Sequence, residues 1–378
     1  MELKKYRFDE VTINFDKKRV PLSGAQREKR QGKYRYYGAQ GVIDYIDDFI
    51  FDGTYLLIAE DGENLKSKKQ NIAQVVNGQF WVNNHAHIVQ GNELCDTRYL
   101  CYLLNSMDLS GYVTGSAQPK LSQANLNAVT LFLPSIFIQK KIVEYLYMFD
   151  KKIAVNQQIN DNLQQQAAMI FREWFITNPE TEMWPLVTLD SLASLISRGI
   201  TPKYNDDSIQ IVLNQKCIRD HYIDTSLARK HSPKVINEKW LQYGDLLINS
   251  TGEGTLGRTA QVWFVPENMT VDSHVTIVRP KNQQLIFYIG LWGLSHEREI
   301  EALHTGSTGQ TELPRDRVKA LELRMPDNDI LTRFNSVIEP MVSAIIVNQQ
   351  ENSRLANIRD VLLPRLMSGE IDVSDIQI

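Results

Sequence analysis

NQQIN, at Asn156 to Asn160, returns as NQQEN at Asn348 to Asn352, 192 residues further on. Stepping by four and three residues alternately from Ile142 meets Leu146, Phe149, Ile153, Asn156, Asn160, Leu163, Ala167, Ile170 and Trp174. The same step from Phe334 meets Ile338, Met341, Ile345, Asn348, Asn352, Leu355, Arg359, Leu362 and Leu366. Apolar residues held at this spacing over four heptads specify a coiled-coil seam. A polar seam residue costs stability but fixes register, because a slip would bury it against apolar neighbours. Two helices from a repeated chain can pair antiparallel about a pseudo-twofold axis. The pattern therefore predicts that Asn156 meets Asn352 and Asn160 meets Asn348. From Ile142 to Trp174 a straight helix spans roughly 48 Å. Arg359 departs from the pattern and is expected at a frayed or partner-facing end.

The repeat continues outward. VNNHAHIV (Val82 to Val89) matches VDSHVTIV (Val271 to Val278), and YLLIAEDGE (Tyr55 to Glu63) matches DLLINSTGE (Asp245 to Glu253). TGSAQPKL (Thr114 to Leu121) answers TGSTGQTEL (Thr305 to Leu313), and FLPSIFIQKKI (Phe132 to Ile142) lies over RMPDNDILTRF (Arg324 to Phe334). Short strand-like runs (YLLIAE, QFWVNNHAHIV, DLLINS, TAQVWFV) sit between Gly- and Asp-rich turns, with helical stretches such as Thr97–Asn105 and Leu285–Leu294 after them. The expected fold class is α+β: two tandem α/β domains, 1–137 and 179–329, separated by helices over 138–178 and 330–378 that pair as an antiparallel coiled coil.

A chain of 378 residues exceeds one ordinary core. Hydrophobic content of 43% and a mean hydropathy of -0.31 are those of a soluble globular protein. MELKKYRFDE lacks the apolar stretch of a signal peptide, and no uninterrupted apolar run is long enough to span a membrane. Cys95, Cys101 and Cys217 form neither a metal pattern nor a disulfide framework, so a reducing cytoplasm is the expected location. His85 and His87 sit two apart, and a strand through WVNNHAHIV would place both imidazoles on one face. Half a metal site is one reading. Against it, His85 falls on His274 in the second copy but His87 falls on Thr276, and no other ligand cluster lies nearby. A shared structural hydrogen bond by His85 and His274, or a common ligand, is the other.

GEGTLG (Gly252 to Gly257) fits a dinucleotide fingerprint formally. That fingerprint needs a helix to follow, and the strand-like TAQVWFV follows instead. There is no Walker lysine loop, no Asn-Pro-Pro-Phe type methyltransferase motif, no carboxylate-plus-lysine nuclease cluster and no nucleophile elbow. The residues describe a binding protein with no active site and no bound cofactor of its own.

The formal net charge is -4, which hides a local excess. Residues 1–137 hold 16 Lys+Arg against 15 Asp+Glu, or +1; residues 180–329 hold 16 against 20, or -4. Within the first domain, Lys17, Lys18, Arg19, Arg27, Lys29, Arg30, Lys33 and Arg35 stand against Glu28 alone, a local +7 that runs into the tyrosines of KYRYYG. Cations interleaved with aromatics suit a phosphate-contacting edge; a solvated basic loop has the same composition.

Taken together, the order of parts resembles the DNA-specificity subunit of type I restriction-modification systems, over nearly the whole chain. The resemblance rests on the globular-helix-globular-helix plan, on YYGAQGVIDYIDDFIFDGTYLLIAEDGEN and FWVNNHAHIV, on TGSAQPKLSQANLNAVTLFLP, and on LPRLMSGEIDV at Leu363 to Val373. The first helix departs from it, ending in FREWFITN, and IQKK (Ile138 to Lys141) stands where Glu-Gln is usual. The resemblance implies two target-recognition domains that each read one half of a bipartite DNA sequence, with the helices as a spacer ruler. It implies double-stranded DNA, two methyltransferase subunits and two motor-nuclease (restriction) subunits as partners. S-adenosylmethionine, ATP and Mg2+ would then act on those partners.

The eight cations of Lys17–Arg35 are accordingly the expected phosphate contacts, with Tyr36 and Tyr37 at sugar or base edges. Lys203, Lys216, Arg219, Arg229, Lys230 and Arg258 are their counterparts in the second domain. Gln118 and Lys120, with Gln310 in the second copy, sit in the family's Gly-Ser turn. Two other readings stay open: a specificity subunit for a fused nuclease-methyltransferase enzyme, and a coiled-coil adaptor that binds no DNA.

Overall fold

The computed structural model describes residues 2–67, 70–115, 118–252, 254–306 and 311–373. Two helices of 40 residues, Ile136–Phe175 and Asn328–Met367, carry the two seams. Asn156 Nδ2 donates to Asn352 Oδ1 at 2.8 Å, and Asn348 Nδ2 donates to Asn160 Oδ1 at 2.8 Å. These are the pairs that the sequence predicts, and one index rises as the other falls, as antiparallel helices require. Asn156 Nδ2 also donates to Glu351 Oε2 at 2.7 Å. Replacing Asn160 and Asn348 together by valine removes the cost of one buried and one half-buried carboxamide and loosens the register. We expect a higher melting temperature together with mixed oligomers, read by thermal denaturation and light scattering.

The chain packs as two compact units, 1–153 with 353–378 and 154–352, so each includes a segment of both long helices. In the first unit Arg359 is not at a frayed end. Its guanidinium donates to Asp150 Oδ1 at 2.6 Å, and Asp150 also accepts from the Tyr102 hydroxyl. The arginine thus makes an ion pair between the two helices within that unit. A cavity of about 600 Å³ opens beside it, lined by Gln74, Asn105, Tyr147 and their neighbours.

The first unit is built on a six-stranded sheet in the order Thr12–Asn14, Ala86–Gly91, Phe51–Ala59, Ala73–Val82, Gln31–Gly38, Gly41–Ile46. WVNNHAHIV is not one strand. The chain leaves the sheet at Val82 and re-enters at Ala86, on the other side of Phe51–Ala59. Phe80 pairs with Phe51 and Ala86 with Ala59. Those partners would stand roughly 26 Å apart on a flat strand, and the six residues from Phe80 to Ala86 reach about 21 Å at most. The sheet must therefore curl. Gly53 and Gly78 face each other in the register with φ of 129° and 83°, a backbone region that L side chains rarely adopt. The helix Thr97–Ser106 is capped by Asp96 Oδ1, which accepts from the amides of Arg98 and Tyr99. It buries Tyr99, Leu100, Leu103 and Leu104 in the first core.

The second unit has a four-stranded sheet, in the order Ala193–Arg198, Val275–Pro280, Leu246–Asn249, Thr259–Gln261. A three-stranded sheet lies outside it, Arg229–Lys230, Ile211–Leu213, Met269–Val271, whose last two strands run parallel. The helix Ile286–Ser295 is buried on nearly every side. Gly290 makes this possible, since a Cβ there would lie 1.8 Å from Gln261 Oε1. Phe171, Phe175, Phe334 and Ile338 from the long helices complete this core.

The strand that follows Gly252–Gly257 is Thr259–Gln261, so no helix offers its N-terminus to a pyrophosphate. The expectation about membranes needs one amendment. Asn328–Met367 is long and apolar enough to cross a membrane by length and composition, with a mean hydropathy of 1.4 over its most apolar stretch. Averaging hides the polar residues of that helix, such as Glu339 and Asn348. Its Phe334, Ile338, Val342 and Ile345 are enclosed in the protein core.

Candidate nucleic-acid interface

Both units contain the same small device. Thr114 and Lys120 exchange two backbone hydrogen bonds of 2.8 Å, and Thr305 and Glu312 exchange equivalent ones. Leu121 N donates to the Glu60 carbonyl, and Leu313 N donates to that of Ser250, so each Thr-Gly-Ser loop is tied to the end of a central strand. His85 Nδ1 lies 2.7 Å from Asp61 Oδ2, and His274 Nδ1 lies 2.7 Å from Thr251 Oγ1. The amide of each histidine donates to the side chain two residues before it, Asn83 or Asp272. His85 and His274 therefore share a structural hydrogen bond at the same place.

His87 has a different role. Its Nδ1 is 2.6 Å from Asp16 Oδ2 and its Nε2 is 2.8 Å from the Leu121 carbonyl oxygen. Both partners are acceptors, so the ring donates from both nitrogens as an imidazolium. Burial opposes that charge. The bonds to Asp16 and Leu121, with the charges of Asp16 and Glu60, outweigh it and raise the pKa of His87. Burial likewise penalises ionised Asp16, but His87, the Ile88 amide and Arg19 hold its pKa below the ordinary value. Thr276 replaces this cation in the second unit and makes a 2.6 Å bond with Ser250 Oγ. No group of three His, Cys, Asp or Glu among the described residues is placed to hold a metal ion.

The basic run of the first unit divides in two. Arg19 pairs with Asp16 and Glu60, Arg27 with Asp44, and Arg30 with Asp47 and Asp48. Arg19 also donates to the Ala86 carbonyl, and Arg35 to that of Asn77 at 2.7 Å. These arginines fasten the fold. Lys17, Lys18, Lys29 and Lys33 are exposed. Tyr36 and Tyr37 correct the sequence reading, because both are buried. Tyr36 Oη accepts from the Leu22 amide, and the Tyr37 ring packs edge-on against Phe80. The two rings enter different clusters, Tyr36 with Ile46 and Trp81 and Tyr37 with Phe51 and Phe80, so neighbouring cations in the chain did not mean exposure. Exposed Ile43 and Tyr45, on the outer strand, carried no charge signal and were not singled out.

In the second unit Lys203, Lys216, Arg219, Arg229 and Lys230 are all exposed. Arg229 stacks on the exposed Tyr204 ring, 3.4 Å from its centre. Backbone bonds from Asn205 to Lys230 and from Ser232 to Lys203 bring two segments together, placing Lys203 and Tyr204 beside Arg229 and Lys230. Arg258 is half-buried behind the glycine turn. Gln118 is exposed in its loop, and Lys120 beside it lies 3.3 Å from Glu60. Gln310 lies outside the described residues. In each copy most of these cations precede the central strand, Phe51–Ala59 or Leu246–Asn249, while Lys120 and Arg258 follow it.

Residues 2–165 match the type I restriction modification DNA specificity domain. The Haemophilus influenzae chain S.HindORF215P, named as a type I restriction enzyme specificity subunit, is 26% identical over 380 residues, 94% of each chain. The MjaIX specificity subunit of Methanocaldococcus jannaschii is 26% identical over 315 residues, 74% of this chain and 70% of its own. The crystal structure of the type I restriction-modification S subunit from M. genitalium has the same fold, with a TM-score of 0.59, 12% identity, and 97% and 96% of the two chains covered. The chain is thus similar over nearly its whole length to a specificity subunit of type I restriction enzymes, and a DNA specificity domain of that kind accounts for residues 2–165.

Proposed function

We propose that this chain reads a bipartite DNA target, one half-site per unit, and brings methyltransferase and motor-nuclease subunits to it. The observation that carries the reading is the repeat of one device, a Thr-Gly-Ser loop tied to a central strand by the same hydrogen bonds, in two units whose exposed cations differ. One scaffold with two different basic surfaces suits an asymmetric, split sequence. The antiparallel helices serve as the spacer between half-sites. On this reading the methyl donor, ATP and Mg2+ act on the partner subunits, in the cytoplasm, and this chain supplies selection alone.

Lysines that neutralise phosphates release counterions, so affinity falls linearly on a log–log plot against salt. Lys17→Ala, Lys18→Ala, Lys29→Ala and Lys33→Ala should each weaken binding to all duplexes alike and reduce the salt slope by about 1 where a contact is lost. Titration of the chain, bound to its methyltransferase partner, with duplex DNA over a salt series checks this. Binding that ignores salt and all four substitutions would leave an adaptor that does not touch DNA.

A further inference from the structure

The outer strand of the first unit's sheet, Gly41–Ile46, exposes more apolar surface than an edge normally tolerates. Ile43 and Tyr45 are each 52% exposed and Val42 is 40% exposed. Edge strands are usually protected by charge, because bare backbone and apolar side chains invite pairing. Here the acids have been withdrawn from that duty. Asp44 is held by Arg27 at 2.8 Å and Asp47 by Arg30 at 2.9 Å. Alternation along the strand puts Ile43 and Tyr45 on the face opposite Asp44. Tyr45 stands across from Arg35 in the register. Lys33, on the neighbouring strand, and Lys29, on the turn before it, are exposed around this surface.

An aromatic and an aliphatic side chain at the centre, with exposed Lys29 and Lys33 at the rim and Asp44 held by Arg27, complement a polyanion with an apolar interior. The major groove of duplex DNA admits a two-stranded ribbon and offers thymine methyl groups and base edges to apolar side chains. The cations at the rim match phosphates on either side. We propose that Ile43 and Tyr45, on the ribbon of Gln31–Gly38 and Gly41–Ile46, lie in the major groove and determine base preference in one half-site. This rests on the reading that each unit recognises half of a split target.

The test is a map of N6-methyladenine in cells expressing the full chain, as Ile43→Ala, Tyr45→Ala or the pair, with its methyltransferase partner. One half of the motif should accept other bases, with discrimination at the affected positions falling roughly tenfold to a hundredfold. The other half and the spacing should stay as they are. Ile43→Val and Tyr45→Phe, which preserve bulk, serve if the alanine chains do not accumulate, and should produce a smaller change confined to the same half. An unchanged motif in all variants that accumulate, or both halves fading together at unaltered melting temperature, overturns the proposal. A split motif written by the unaltered chain would still stand in that case, so the loss of this site is separable from the loss of the function.

Discussion

Arg279→Ala is expected to cost about 3–5 kcal/mol, the loss typical when one partner of a buried ion pair is removed. Asp245 is fully buried and accepts two bonds from this arginine at 2.8 Å each, with a third from the Gln242 amide at 2.8 Å. The same guanidinium donates to the carbonyls of Glu238 and Trp240, so four bonds are lost together and the Asp245 carboxylate keeps only the Gln242 amide among these donors. A domain has only about 5–15 kcal/mol in total, and the variant should accumulate poorly and melt early in urea. Asp245→Asn with Arg279→Met, which takes both charges away, should recover part of the loss. If the single alanine variant melts within about 1 kcal/mol of the parent, the pair is less buried than described.

His87 has the second large effect and gives it a pH signature. His87→Leu leaves the Asp16 carboxylate enclosed with Arg19 at 3.4 Å and the Ile88 amide at 2.8 Å as its remaining partners. A loss on the order of 2–3 kcal/mol follows when a buried carboxylate is deprived of its charged hydrogen-bond donor and keeps only these weaker partners. The folded pKa of His87 is raised above its ordinary 6.5. Its contribution is therefore complete below about 6.5 and is lost as pH rises through the folded value. Asp16 has a lowered pKa, so its contribution is present above its ordinary value and is lost as acid is added. Melting temperature should thus decline from near neutral toward alkaline pH in the parent chain, and this part of the slope should vanish in His87→Leu. Equal slopes in the two chains would show that His87 is not held as an imidazolium.

The helices were legible in the sequence because their period and asparagines are local facts about one element. Asn156, Asn160, Asn348 and Asn352 meet as their spacing demands. Arg359 was misplaced because its partner, Asp150, lies on the other helix and is absent from the apolar pattern. The basic run was harder to read. Composition counts Arg19, Arg27 and Arg30 alongside Lys17, Lys18, Lys29 and Lys33, but only folding brings Asp16, Asp44, Asp47 and Glu60 to the arginines. Tyr36 and Tyr37 stand beside cations in the chain and inside the core in space. Ile43 and Tyr45 alternate like any strand, and nothing in VIDYI says that the strand is an outer one. The two histidines differ by partners that the sequence does not place side by side: His85 meets Asp61, whereas His87 is enclosed between Asp16 and the Leu121 carbonyl.

The central claim is that two units of one chain choose two half-sites. Its most direct test is a map of N6-methyladenine in DNA from cells carrying the methyltransferase partner with this chain and from cells carrying the partner alone. A split motif with a fixed gap, written only when this chain is present, is the predicted result. Methylation of a continuous motif, or the same motif in both cultures, would contradict it.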